Sequence, residues 1–345
     1  MMRKLFYVDG KPFFAFGGQS RNCSGYNTSE MKQFWKAFEM LGGNTAEVPI
    51  AWEVIEKEEG TYDFTVIDEL IAGAEARKAK LILLWFATWK NGVMKFAPAW
   101  VKQDRKRFQR VISPDGVELS VLSSHCKENY EADCKAFCAV MEHIHRVDQN
   151  HTVLAMQIEN EPGIFGRTHR DHGADAEAEF AAEVPADIVE KMKMSPSSKP
   201  YAIWQENGGK MSGNWRALFG EHAAELFSAW SIAKYIDGIA CEGKKRHNIP
   251  MFVNVWLDQQ GWERPGEDYP SGSPIERTFD LWKWTTTSLD TIAPDNYKEA
   301  SSRYLRHCAF YSRENNPLLI PESPSWDPSN AYNMLYAIGN YQAAG

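Results

Sequence analysis

The sequence lacks a long apolar run, a CxxC pair and an excess of positive charge. No segment approaches the ~20 apolar residues of a membrane helix; the best run, Leu81 to Trp89, reads as a buried strand. Met1 to Gly10 has no apolar stretch of the signal-peptide kind, so a cytoplasmic location is expected, or a secreted or periplasmic one if a leader were removed. A net charge of −8 offers nothing to nucleic acid or to an anionic membrane surface. The six cysteines form no disulfide framework, and Cys134 and Cys138, one helical turn apart, read as small buried apolar groups. The nine histidines include no HExxH, and no glycine-rich phosphate turn follows an early strand. No metal and no cofactor are expected.

What is present is alternation. Phe13 to Phe16, closed by Gly17-Gly18, reads as a first strand. A helix then starts at Thr28 or Ser29, with Met31, Phe34, Trp35, Phe38 and Leu41 on one face, and ends at Gly42-Gly43. Strands are predicted at Asn44 to Trp52, Leu81 to Trp89, Thr152 to Glu159, Met251 to Leu257, Thr291 to Ala293 and Leu318 to Ile320. Helices are predicted after Thr65, with Asp68 as capping partner, and over Tyr130 to Val147, Glu221 to Ile239, Pro274 to Leu289 and Lys298 to Ser312. Such β–α alternation implies a parallel sheet, and without a phosphate turn the closed form, a (β/α)8 TIM barrel, is the better reading. Only seven strands are visible, so the eighth is expected at or beyond the C-terminus. One domain, 1–345, is expected, with a long loop insertion at about 163–220.

Barrel enzymes place catalytic groups at the C-terminal ends of strands. The fourth strand ends Glu159-Asn160-Glu161-Pro162 and the seventh ends Ile320-Pro321-Glu322-Ser323. A carboxyl just past an apolar strand is partly desolvated, which raises its pKa and suits it to proton donation. A second carboxylate across the mouth can attack an anomeric carbon, and retention needs the two about 5–5.5 Å apart. Either motif alone is as readily a structural ion pair; together, in this order, they point to glycoside chemistry.

The chain resembles clan A glycoside hydrolases, nearest to the β-galactosidase-like enzymes of families 35 and 42. The resemblance rests on Asp9-Gly10-Lys11-Pro12-Phe13, Gly43-Asn44-Thr45, Trp52-Glu53, Glu59-Gly60-Thr61-Tyr62-Asp63-Phe64, Trp89-Lys90-Asn91-Gly92, Glu159-Asn160-Glu161-Pro162, Val253-Asn254-Val255-Trp256, Pro294-Asp295-Asn296-Tyr297 and Pro321-Glu322. It implies Glu161 as acid/base, Glu322 as nucleophile, Asn160 as partner of the sugar 2-OH, and Tyr297 as the residue orienting the nucleophile. Glu159, by strand alternation on the side of Glu161, binds a hydroxyl or raises the pKa of its neighbour.

Gln19 and Asn22 lie just beyond the first strand, where a sugar hydroxyl can be met, and Asn254 lies on the fifth. Family 35 enzymes end the third strand in Ala-Glu-Trp with a galactose-binding glutamate; here Ala87-Thr88-Trp89 lacks it, and Lys90 and Asn91 are the polar substitutes. Among thirteen tryptophans, Trp52, Trp89, Trp256 and Trp326 are expected to stack on sugar, Trp262 either to wall the aglycone side or to be a surface-loop aromatic, and Trp35 and Trp230 to lie in the core. The expected partner is an oligosaccharide or β-glycoside, with homo-oligomerisation left open. The reading is a retaining β-glycosidase, first of all a β-galactosidase. A β-mannosidase, a β-glucosidase or another hemicellulose-active retaining β-glycosidase, and a non-catalytic or incomplete sugar-binding barrel, are the alternatives.

Overall fold

A computed structural model describes residues 5–257, 264–298 and 300–345. Six parallel strands form one sheet in sequential order: β1 (Gly17–Gln19), β2 (Thr45–Ala51), β3 (Lys80–Lys90), β4 (Val153–Asn160), β5 (Met251–Trp256) and β6 (Thr291–Asp295). The principal helices are α1 (Thr28–Leu41), α2 (Thr65–Glu75), α3 (Lys127–Val147), α4 (Ala223–Arg246), α5 (Phe279–Thr285), α6 (Ser301–Tyr311) and α7 (Asn330–Tyr341). Strand residues are buried on both faces, as helix-covered parallel strands must be.

Two extended segments complete the ring. Residues 316–322 run beside β6, tied by Asn316 Oδ1, which accepts from Ile292 N at 2.9 Å, and by Asn296 N donating to Glu322 O at 2.9 Å. Residues 343–345 then sit between 318–320 and Ala15. Ala344 N donates to Leu318 O at 2.7 Å, Ile320 N to Gly345 O at 3.1 Å, and Ala15 N to Ala344 O at 2.9 Å. The eighth strand position of the barrel is thus occupied by the last three residues of the chain. Inside the ring, Phe6, Ala15, Ala51, Leu84, Phe252 and Leu319 belong to one apolar cluster, separate from the larger cluster between strands and helices.

Several expected boundaries move. The first strand is Gly17–Gln19, not Phe13 to Phe16, because the backbone of Gly17 packs against Thr45 O with no space for a Cβ. Asn27, not Thr28 or Ser29, caps α1, its Oδ1 accepting from Ser29 N and Glu30 N, and Leu41 at the far end is exposed. Asp63, not a Thr65–Asp68 pair, accepts from the first amide of α2, while Asp68 meets His143 at 2.6 Å. The helix expected over Pro274 to Leu289 is confined to Phe279–Thr285. The stretch read as a loop at about 163–220 carries four short helices, Ala174–Ala181, Ala186–Lys193, Lys199–Glu206 and Trp215–Phe219. Their buried faces include Met192, Trp204, Trp215 and Leu218. Prolines and glycines between them (Pro185, Gly208, Gly209, Gly213) cut the apolar period too often for it to be seen.

Candidate active site

The end of β4 departs from strand geometry. Glu159 (φ 61°) and Glu161 (φ 46°) both adopt the left-handed conformation, which is costly for a residue with a Cβ and common at functional sites. The expected alternation fails there, and the two glutamates part company. Glu159 turns toward the helices. Fully buried, it accepts hydrogen bonds from Trp89 N (2.7 Å) and Thr88 N (3.2 Å) and lies against Asp133 of α3. Asp133 accepts from Trp85 Nε1 (2.8 Å) and Thr88 Oγ1 (2.7 Å), with Tyr235 OH of α4 at 3.3 Å. Burial, and then the Asp133 carboxyl, push Glu159 well above the usual carboxylate range; burial also raises Asp133.

This corrects three expectations. Glu159 is a buried tie between β3, β4 and α3, not a sugar ligand. Thr88 does not stand in the mouth in place of a sugar-binding glutamate, since its hydroxyl is taken by Asp133. Trp89 is buried edge-on against Tyr235, ring centroids 5.0 Å apart, where no sugar reaches it. Trp89 follows Trp85 and Ala87 on the outer side of β3 by ordinary alternation, and Thr88 joins them where the pairing with β4 becomes irregular.

β3 then delivers Lys90, Asn91 and Gly92 to the mouth. Asn91 (φ 56°) and Gly92 (φ 71°) form a tight turn closed by Lys90 N donating to Val93 O at 2.8 Å. Left-handed geometry at both central residues is what an Asn-Gly turn favours. A Cβ on Gly92 would lie 2.8 Å from Phe165 Cβ. The turn brings Asn91 Nδ2 to Glu161 Oε2 and lets Gly92 N donate to Glu161 O at 3.1 Å. Lys90 Nζ donates to Asn160 Oδ1 at 2.6 Å, leaving Asn160 Nδ2 buried without a partner.

Glu161 is 6% exposed. Its backbone N donates to Asn254 Oδ1 at 2.7 Å, and Asn254 Nδ2 donates to Asp295 Oδ2 at 2.7 Å. Asn254 is therefore a fully buried positioning residue. Burial, then the charge of Glu322, push Glu161 up to about 7, against the opposing pull of Lys90. Glu322 is half-buried. Tyr297 OH donates to its Oε2 at 2.6 Å and Gln19 Nε2 to its Oε1 at 3.3 Å. Burial and the Glu322 carboxylate together hold the Tyr297 phenol protonated.

Two further carboxyl groups face this pair, and neither was singled out from the sequence. Asp295, the last residue of β6, interacts with Glu161, and burial followed by the charges of Glu322 and Glu161 raises it well above the carboxylate range. Glu47, inside β2, is raised by burial and by Glu322. The available signal was a lone acid in each of two otherwise apolar strands. Among the described residues, no group of three or more His, Cys, Asp or Glu side chains has an arrangement that could hold a metal ion.

The aromatic residues divide. Trp256, at the end of β5, stacks on Phe165 (5.5 Å, 18°), and exposed Trp326 stacks on Tyr297 (5.8 Å, 9°) beside Glu322. Phe165 also lines an open cavity of about 410 Å³ with Arg167 and Gly266. Trp52 is fully buried, donates to Glu56 Oε2 at 2.7 Å and packs edge-on against Trp100, so it is core and not a sugar platform. Trp35 is buried and Trp230 packs on the core, as expected. Asn22 is half-buried and, among the described residues, shares no hydrogen bond with the carboxylates. Trp262 lies outside the described residues.

The family model described as "Glyco_hydro_42: Beta-galactosidase" matches residues 26–185, from just before α1 through β4 and Glu161. No curated protein matches the sequence. Among solved structures, the β-galactosidase from Bacillus circulans sp. alkalophilus aligns with TM-score 0.59 at 16% identity, over 92% of this chain and 46% of its own. That from the Antarctic haloarchaeon Halorubrum lacusprofundi aligns with TM-score 0.58 at 16% identity, over 92% and 48%. The catalytic domain of a β-amylase from Paenibacillus polymyxa aligns with TM-score 0.61 at 10% identity, over 96% and 92%. At these identities the structures establish the barrel fold, and the chain spans about half the length of the β-galactosidases it matches. The resemblance to glycoside hydrolases read from the motifs is supported by the family-42 model over residues 26–185, and the expected barrel by the solved structures.

Proposed function

We propose that this chain is a retaining β-glycosidase acting on terminal β-linked sugars, with β-galactosides as the first substrate class. The observation that carries the reading is the contrast between two carboxyl groups sharing one barrel mouth. Glu161 is buried and raised to about 7, whereas Glu322 is half-buried and held by two donors, Tyr297 OH and Gln19 Nε2. Environments that separate the pKa values of a carboxyl pair divide it into acid and nucleophile.

In the first displacement Glu322 attacks C1 while the protonated Glu161 gives its proton to the leaving oxygen, so that the glycosidic C–O bond breaks as the glycosyl–Glu322 ester forms. In the second, Glu161 takes a proton from water, whose oxygen attacks C1 and releases Glu322. Asn160 Nδ2, buried and unpartnered, is the donor for the sugar 2-OH; Trp326 on Tyr297 and Trp256 on Phe165 offer flat apolar faces.

The test is to follow hydrolysis of p-nitrophenyl β-glycosides by proton NMR. Initial release of the β-anomer supports the reading, and initial release of the α-anomer would sink it. Specificity for another β-linked sugar, glucose or mannose, is favoured by one observation. The polar group that β3 presents to the mouth is Lys90, a cation, in place of a glutamate.

A further inference from the structure

Glu47 has no role in the double displacement, yet it faces the nucleophile. In β2 the residues Ala46, Val48 and Ile50 belong to the outer apolar cluster and Ala51 to the inner one, so Glu47 points into the barrel. Its register partner on β1 is Gln19, the residue that donates to Glu322. Glu47 is 8% exposed, and its Oε2 is buried with no hydrogen-bond partner. Gln19 Oε1 is also buried and unpartnered in the same mouth, whereas Asp295 is engaged by Asn254 and Glu161. A buried carboxyl oxygen without a donor is destabilising, and an apolar side chain would pack there without that cost. Two idle acceptors beside one nucleophile, Glu47 Oε2 and Gln19 Oε1, with Asn160 Nδ2 as an idle donor, describe a lining complementary to a neutral sugar that offers hydroxyl groups.

We propose that Glu47 is a specificity-determining residue that accepts a hydrogen bond from one hydroxyl of the sugar seated against Glu322. The inference rests on the glycosidase reading above and deepens it. Glu47 acts through hydrogen bonding alone; no covalent bond to it is made or broken.

The experiment compares the full chain and its Glu47→Leu and Glu47→Gln variants on p-nitrophenyl β-glycosides of the best-hydrolysed sugar and of its 2-, 3-, 4- and 6-deoxy analogues. Glu47→Leu should lower kcat/KM on the parent sugar roughly ten- to a hundredfold. That penalty should vanish on one deoxy analogue, the one lacking the recognised hydroxyl. Glu47→Gln, which keeps one acceptor oxygen, should retain part of the discrimination. The Tm of Glu47→Leu should hold or rise. A penalty equal on every analogue, or a loss of activity accompanied by a lowered Tm, would overturn the proposal in favour of a structural role. If the unmodified chain cleaves none of the glycosides, the hydrolase reading fails separately. Tryptophan-fluorescence titration with the free monosaccharides then decides Glu47: weaker binding by Glu47→Leu upholds it, and equal binding overturns it.

Discussion

Glu159 and Glu161 are two residues apart, and regular strand geometry would place them on one side of β4. In the folded chain they belong to different regions. Glu159 joins Asp133 in a dry pocket between strands and helices, with both of its oxygens bound to backbone N–H groups of β3. Glu161 joins Glu322 at the barrel mouth, where Asn91 and Asp295 meet its carboxyl. Both carboxyl groups are raised by burial, but only the second has an opposing carboxylate within reach of a substrate. A perturbed carboxyl therefore marks catalysis only when its surroundings leave room for a reacting atom.

The comparison can be broken most sharply at the mouth. Glu322→Gln should reduce turnover by on the order of 10⁴–10⁶-fold, as loss of a covalent nucleophile does; retention of near-full activity on nitrophenyl glycosides would refute the assignment. Glu161→Ala should cost roughly 10²–10⁴-fold on substrates with poor leaving groups. Substrates with good leaving groups should be affected less, and azide should restore turnover by giving the glycosyl azide. The dry pocket should answer in another currency. Asp133→Leu leaves the Trp85 indole N–H and the Thr88 hydroxyl without their acceptor, and should cost on the order of 3 kcal/mol in urea unfolding. Trp89→Ala should likewise cost about 3–5 kcal/mol with KM unchanged, whereas a raised KM and unaltered stability would return Trp89 to the sugar site.

The smallest effects are those of pH. Glu161 must be protonated to act as acid, so kcat/KM should fall as pH rises through about 7. The charge of Glu322 raises Glu161, so Glu322→Gln should move the Glu161 titration, followed by carbon-13 NMR, to lower pH. Linkage gives a matching slope in stability. Glu161, Glu47, Glu159 and Asp295 all have raised pKa values in the fold, so each is protonated there where it would be ionised in the unfolded chain. Their contribution is fully present below the ordinary carboxylate pKa of about 4 and is lost as pH rises through the folded values. Glu159→Gln should flatten this slope without moving the activity limb.

Most of the barrel was legible because its strands are continuous apolar runs between amphipathic helices, a pattern that depends only on local order. Glu161 and Glu322 were legible for the same reason, since each sits one or two residues past such a run. What escaped was set by backbone geometry and by distance in the chain. Two left-handed residues at the end of β4 and a register shift in β3 reversed the facing of Glu159 and Thr88, which alternation cannot register, whereas Trp89 lies with Trp85 on the outer side as alternation gives. Trp52 sits at a strand end yet continues into a short helix that folds it against Trp100 and Glu56. Glu47 and Asp295 acquire meaning only when β2 and β6 curve to face residue 322. The final segment, too short and bland to read as a strand, is fixed by partners some twenty-five and some three hundred and thirty residues away.

That final segment makes the barrel a loop of amides with a clasp. Ala15 N and Ile320 N are protected from solvent only while residues 343–345 stay in place, and Ile320 lies two positions before Glu322, the proposed nucleophile. The two amides should exchange their protons together, at a rate set by unfastening of the clasp and not by unfolding of the sheet. Each unfastening frees the segment that carries Glu322, so the same event that admits deuterium to Ile320 also loosens the placement of the Glu322 carboxylate.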